Sequence, residues 1–422
     1  MKRFALLLAL FAVACSDDDS TGRPDAGERP DAAPDSAPPL RQDYCRNQEV
    51  GTACTWLGIP GAEGFTADGV NRYNTRIYWV MNMLFASDGY VYFDDWNNHL
   101  IRRVNPDDDT VQTMVGWNDP IFPGDGVPGM PNAERTGEGP LGTEVQLNHP
   151  TDLAETADGH ILIMAWHNHK LRRLDPTTGR VVILAGKGAG FAPDFAADPV
   201  DEGPASGALF KQPKALTRDP DGNLYIADQQ NQRVRMITNE GTGTIKTIAG
   251  SGAQGYGGDE GDAVGAEAKI NWEVGSNPEP SGGLAWKDDK LYISDTLNNR
   301  IRVVDLSLET PTIDTLAGTG DAGNTGDDGP AIDATLDHPR DLEIGPDGDL
   351  YIADTDNNVI RAIDLDTGTI RRVAGTGEIG LNDENLPALE TQLRRPFGIE
   401  FDADGNLYIM DSLNSRVLKV LR

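Results

Sequence analysis

The side chains of this 422-residue sequence best able to bind or react include six histidines, seven tryptophans and three cysteines. One run, Trp166-His167-Asn168-His169, sets two imidazoles two residues apart beside an indole. Trp96 and His99 occupy the same places in an earlier, similar stretch. A His-x-His pair chelates a transition metal if both rings turn the same way and a further ligand joins them. Trp and His exposed on a loop surface instead make a recognition patch. His167 and His169 are therefore the candidate metal ligands, and Trp96, Trp166 and His99 candidate ligand contacts. A second set is Asn82, Asp152 and Asp341, which stand at one position of a recurring strand. His149 and His338 precede Pro in the segments that carry the two aspartates. Ca²⁺ takes six or more oxygens and these side chains supply three, so the alternative to a Ca²⁺ site is an open, water-filled channel mouth. No Ser-His-Asp or Cys-His set can be assembled, so no catalytic residue is assigned.

The elements that must position these residues repeat. Six cores align: VYFDDWNNHLIRRV (91–104), ILIMAWHNHKLRRL (161–174), LYIADQQNQRVRMI (224–237), LYISDTLNNRIRVV (291–304), LYIADTDNNVIRAI (350–363) and LYIMDSLNSRVLKV (407–420). Five are preceded by Asp-Gly, as at Asp221-Gly222, and one by Asp288-Asp289. Such pairs tolerate positive φ and mark hairpins. Four cores follow a Pro-led strand (Pro150, Pro213, Pro339, Pro396), and five lead to a strand ending in Gly, such as TIAG or TLAG. Each unit is thus four short antiparallel strands, A to D, with no helical periodicity. Six such units predict an all-β fold, a six-bladed β-propeller of four-stranded antiparallel blades. The sixth unit reads only through strand C. Thr55-Trp56-Leu57-Gly58 looks like a strand D, so an N-terminal strand D is expected to close the ring and cover an otherwise open edge.

The pattern DGNLYIAD-x-x-N-x-R-[VI]-R resembles the NHL repeat, and six copies cover about residues 80 to 422. The resemblance implies a propeller; among NHL-type and related six-bladed proteins it also brings to mind lyases and metal hydrolases that work at the channel mouth. Asp95, Asp228, Asp295, Asp354 and Asp411 recur at one site, with Ala165 the exception, and an Asn three residues on recurs in all six. Six copies answer a need of every blade, so these are read as turn-forming residues. The strand C arginines (Arg102, Arg172, Arg235, Arg302, Arg361) are read as pairing blade to blade. Function is expected where the copies differ: in blades one, two and five.

The first residues give an address. Lys2-Arg3, an apolar run and Ala12-Val13-Ala14-Cys15 form a signal peptide over 1–14 that resembles a lipobox, which implies lipid on Cys15. Residues 15–44, rich in Asp, Pro and Ala, read as a disordered tether, and 45–422 as the propeller. In an exported chain the remaining pair, Cys45 and Cys54, is expected to form a disulfide. A net charge of −31, from 67 acidic and 36 basic residues, excludes nucleic acid as a partner. The sequence therefore predicts a monomeric lipoprotein of the bacterial outer membrane that binds a protein, peptide or polysaccharide on its loop-rich face. The alternative is a metal-dependent lyase or hydrolase at the channel mouth, with Ca²⁺ or a transition metal as cofactor.

Overall fold

The computed structural model describes residues 44–116, 138–186, 202–275 and 278–422. The leader 1–14, Cys15 and all but the last residue of the tether lie outside these residues. Within them the chain forms six antiparallel sheets. Strand A of blades one to six spans Met83–Phe85, Pro150–Glu155, Pro213–Arg218, Leu284–Lys287, Pro339–Ile344 and Pro396–Phe401. The A strands touch in ring order, and blade six meets blade one. The order within a blade is A-B-C-D, as the alternation and turn residues dictate.

The sixth blade takes its strand D from the N-terminal segment, Thr52–Gly58, antiparallel to Arg416–Val420. A bulge at Trp56 shifts the register between Thr55 and Leu57, and similar shifts interrupt the C–D pairing of other blades. Cys45 and Cys54 form a disulfide at the start of this strand, with Cα atoms 5.3 Å apart. Four blades gain a fifth, two-residue strand on the outer edge: Gly203–Pro204, Gly261–Asp262, Gly329–Pro330 and Leu386–Pro387. Each belongs to the connection that enters its blade, so that connection covers the exposed edge of strand D before turning inward to strand A.

The recurring Asp is a fully buried junction. In blade three, Asp228 accepts the Lys211 N–H (2.8 Å) and the Asn231 amide (2.8 Å) and pairs with Arg235 (3.3 Å). Asp95, Asp295, Asp354 and Asp411 repeat the arrangement with Arg102, Arg302, Arg361 and Arg416. Blade two shows why Ala165 is tolerated. There Asn168 Oδ1 takes both duties, accepting from Arg172 (2.8 Å) and from the Asn148 N–H (3.0 Å). The arginines do not pair blade to blade as the sequence suggested. Each is held by its own blade's turn, and Arg102, Arg302 and Arg361 also by the connection entering that blade, as Arg361 is by Asp354, Asp327 and the Thr325 and Thr335 carbonyls. The connections, which sequence spacing left as plain loops, need those donors because they fold back over the blade.

Candidate functional site

Four of the six histidines belong to a second repeated device. The last residue of the B–C turn adopts left-handed φ in every blade where its cap is described: His99 (φ 57°), Gln232 (52°), Asn299 (51°) and Ser415 (53°), with His169 (56°) and Asn358 (56°) at the matching places. In five of the six its side chain accepts a backbone N–H from the entry to the next blade, Gln232 from Trp272 among them (2.9 Å). His99 Nδ1 accepts from His149 (3.1 Å), His169 Nδ1 from Gln212 (2.9 Å), Asn299 Oδ1 from His338 (3.0 Å) and Asn358 Oδ1 from Arg395 (2.9 Å). An acceptor Nδ1 carries no proton, so His99 and His169 are neutral with the proton on Nε2. Burial favours the neutral ring and pushes His169 down to about 3 and His167 to about 4. His149 is lowered well below its usual value, by burial first and then by His99 and His167. His167 turns to His149, Nδ1 to Nδ1 at 2.9 Å, while His169 faces Gln212. The rings of the His-x-His pair are thus committed through Nδ1 to different partners.

Asn82, Asp152 and Asp341 do come together. They line one cavity of about 280 Å³ among the inner strands. Two of them also have seam duties: Asp152 Oδ2 accepts the Leu216 N–H of the next blade (2.8 Å), and Asp341 Oδ2 that of Ile399 (2.9 Å). The tiny residues at the same position have the complementary reason. A Cβ on Gly398 would lie 1.9 Å from the Met81 carbonyl oxygen, and one on Gly283 2.5 Å from that of Arg340. At this position the two aspartates accept from the next blade, and the two glycines leave room for its backbone. The sequence reading missed Glu343 and Glu400, which line the same cavity. Both lie two residues further along strand A, so the two-residue period of a strand would have placed them on the same face. Burial raises Asp152 to about 7 and Glu400 to about 8, and holds Glu343 well above its usual value, with Glu400 adding to the effect. Lys214 Nζ is the nearby cation, 3.6 Å from Asp341 Oδ1.

Above this cavity the tryptophans gather. Trp96, Trp166, Met81 and Phe397 form one buried cluster with the partly exposed Trp79 packed against it. Trp79 stacks on Trp96 (centroids 5.4 Å, 15° between planes) and lies near-parallel to Phe397 (6.5 Å, 16°). Trp166 is fully buried and donates its indole N–H to Gln229. It packs against Trp96 within the cluster and has no surface to offer. Trp79 was not singled out from sequence because it precedes strand A in one of the two blades without a leading Pro. It sits at φ 59°, matching His149, Gln212, His338 and Arg395 at φ 48–49°. Arg340 and Arg395 place guanidinium groups 5.0 and 5.2 Å from the Phe397 ring centre. Glu279 bridges them at 2.6 and 2.8 Å. The result is an aromatic step beside a charged rim.

Comparison with known proteins follows from this geometry. No family model matches the chain. Protein SUPPRESSOR OF QUENCHING 1, chloroplastic, of Arabidopsis thaliana is 27% identical over 375 residues, 85% of this chain and 31% of that protein. NHL repeat-containing protein 2 of Homo sapiens is 29% identical over 298 residues, 66% of this chain and 38% of that protein. This chain is an NHL-repeat propeller. It spans about a third of the length of those curated relatives. Among solved structures, a protein of unknown function from Bacteroides thetaiotaomicron superposes with a TM-score of 0.60 at 16% identity, covering 87% of this chain and 75% of that one. A structure described as an auxiliary nutrient binding protein from Bacteroides ovatus gives 0.57 at 16% identity, covering 87% and 76%. At that identity the likeness of the NHL propeller to both is one of fold.

Proposed function

We propose that this NHL propeller is a binding module of the bacterial cell envelope, tethered through lipid on Cys15, whose ligand is a carbohydrate seated on the Trp79 step. The observation that carries the reading is the Trp79–Trp96–Phe397 stack beside Arg395 and Glu279. A pyranose ring has an apolar face to lay on an indole and equatorial hydroxyls for a guanidinium and a carboxylate. The indole N–H groups of Trp79 and Trp96 have no protein acceptor. Buried donors are nearly always satisfied, so a polar guest at the step accords with both. The description of a fold neighbour as a nutrient binding protein points the same way. A charge of −31 disfavours acidic polymers, so a neutral or amino sugar is the better guest.

The test is a glycan array probed with the labelled chain, run beside a peptide array. Binding to a neutral glycan family, lost in Trp79→Gly, supports the reading; glycine suits the φ of 59° there. Peptide binding with blank glycans would replace carbohydrate by peptide. Retention of all binding by Trp79→Gly would move the site elsewhere.

A further inference from the structure

One backbone hydrogen bond recurs in all six blades. The second residue of the B–C turn donates its N–H to a carbonyl of the chain that leads into strand A: Asn97 to Tyr78, His167 to Asn148, Gln230 to Lys211, Leu297 to Asn271, Asp356 to Asp337 and Leu413 to Arg394. With the residue that follows each acceptor, this frame brings three side-chain positions together in every blade. The occupants are Tyr78, Trp79 and Asn97 in blade one, Lys211, Gln212 and Gln230 in blade three, and Arg394, Arg395 and Leu413 in blade six. Blade four has Asn271, Trp272 and Leu297. No shared structural need selects the side chains, because the backbone bond forms with any of them. Blade five alone fills all three positions with ionisable metal donors: Asp337, His338 and Asp356. Blade two comes next, with Asn148, His149 and His167.

The donors in blade five converge on one point. Asp337 Oδ1 lies 2.6 Å and Asp356 Oδ2 3.2 Å from His338 Nδ1. All three donor atoms fall within 4.8 Å of one another, the one such group among the described residues. Ligand atoms held by one tetrahedral ion at about 2.0–2.2 Å stand about 3.3–3.6 Å apart, so the cluster needs to open by under about 1 Å to admit one. Each donor is also held from behind. The Asp337 N–H is fixed by Asp354 Oδ1 (2.8 Å), and the His338 N–H by Asn299 (3.0 Å). The other oxygen of Asp356 accepts from Arg395 Nε (2.7 Å), the outer-shell support that orients ligating carboxylates. The side chains are 31%, 27% and 29% exposed (His338, Asp337, Asp356), so an ion there would keep positions open to solvent.

We propose that Asp337 Oδ1, His338 Nδ1 and Asp356 Oδ2 form a binding site for a divalent transition-metal ion of the Zn²⁺ or Co²⁺ type on the loop-rich face of blade five. One imidazole with two carboxylates selects such ions over Ca²⁺, which takes oxygen alone. On binding, the ion takes the place of the Nδ1 proton between the two carboxylates and the bound neutral imidazole keeps one proton on Nε2: a neutral ring shifts its proton from Nδ1 to Nε2, and an imidazolium releases the Nδ1 proton to solvent. The site is separate from the channel carboxyls and from the His149–His167 pair. It stands whether or not the Trp79 step binds a sugar, and Arg395 links the two, contacting both Asp356 and the Phe397 ring.

The test is calorimetric titration of the chelator-treated full chain with ZnCl₂ in excess MgCl₂, with CoCl₂ and visible absorption as a second readout. The expected result is one Zn²⁺ per chain, with affinity lowered at least about ten-fold in His338→Asn and in Asp356→Asn. Asn accepts the φ of 48° at position 338 and cannot supply Nδ1. Asp356→Asn keeps an oxygen for Arg395 and serves as the second variant if the first does not fold. Cobalt should give d–d bands that both variants lose. The proposal is overturned if Zn²⁺ does not bind, if binding is unchanged in both variants, or if it is lost in His167→Gln while both blade-five variants retain it.

Discussion

Replacing Asp354 by Ala isolates what one turn junction contributes. The wild-type carboxylate is fully buried, accepts from the Asp337 N–H and from Asn357 (2.8 Å each) and forms an ion pair with Arg361 (3.6 Å). Removing one partner of a buried pair costs about 3–5 kcal/mol when the other charge is stranded. Arg361 is not stranded, because Asp327 and the Thr325 and Thr335 carbonyls still hold it. Asn357 keeps the Gly323 carbonyl. The main loss is then one buried backbone N–H, worth about 1–3 kcal/mol. Asn357 can recover part of that by turning its Oδ1 inward as Asn168 does in blade two. The expected cost is about 2 kcal/mol, rising to about 3–4 when Asn357→Ala removes the rescue as well. Urea unfolding at pH 7 reads both, with exposed Asp366→Ala as the control that should move by less than about 0.5 kcal/mol. An Asp354→Ala chain as stable as the control, or a double variant no worse than the single, would refute the junction and its blade-two substitute.

Removing the Cys45–Cys54 bridge by double alanine substitution should cost about 2–3 kcal/mol of urea stability, from the closure of a loop between residues nine apart. Gly398→Ala forces a Cβ to 1.9 Å of the Met81 carbonyl and should destabilise the seam between blades six and one by more than about 2 kcal/mol in the same assay. The pH dependence has a definite sign. Asp152 and Glu400 are raised to about 7 and 8, so their stabilisation is complete at low pH and is lost as pH rises through those values. His167 and His169 are lowered to about 4 and 3, and their contribution is lost as pH falls from about 6.5 towards those values. The two sets oppose each other below about pH 6.5. Above it only the carboxyls act, so stability should fall from pH 6.5 to 8, and Glu400→Gln should remove about 1–2 kcal/mol of that fall, the rest belonging to Asp152, Glu343 and Asp354.

The fold was legible because six copies amplify a weak signal: one Asp-Gly hairpin says little, and six in register fix the architecture. Strand D at Thr52–Gly58 could be read from Leu57-Gly58 matching the end of the other D strands. The repeated Asp and Asn could be set aside as structural by their number alone. The histidines misled for the opposite reason. His99 and His169 occupy a repeated position whose other occupants are Gln232, Asn299, Asn358 and Ser415. These share only a side-chain acceptor, so no identity marks the position in the sequence. Trp166 read as a surface aromatic from its turn and proved buried, because burial at the ring's centre depends on loops from other blades. Glu279 reaches the Phe397 rim across more than a hundred residues of sequence, a contact no local pattern encodes.

The account rests on a division of labour: residues repeated around the ring hold the NHL propeller, and unrepeated ones at its centre bind. Calorimetric titration of the best array glycan into wild-type and Trp79→Gly chains, each with its unfolding midpoint, tests this most directly. The account predicts at least about ten-fold weaker binding by the variant at a midpoint close to wild type, since loss of a central aromatic contact costs about 2 kcal/mol or more. Equal affinity in the two chains would contradict it.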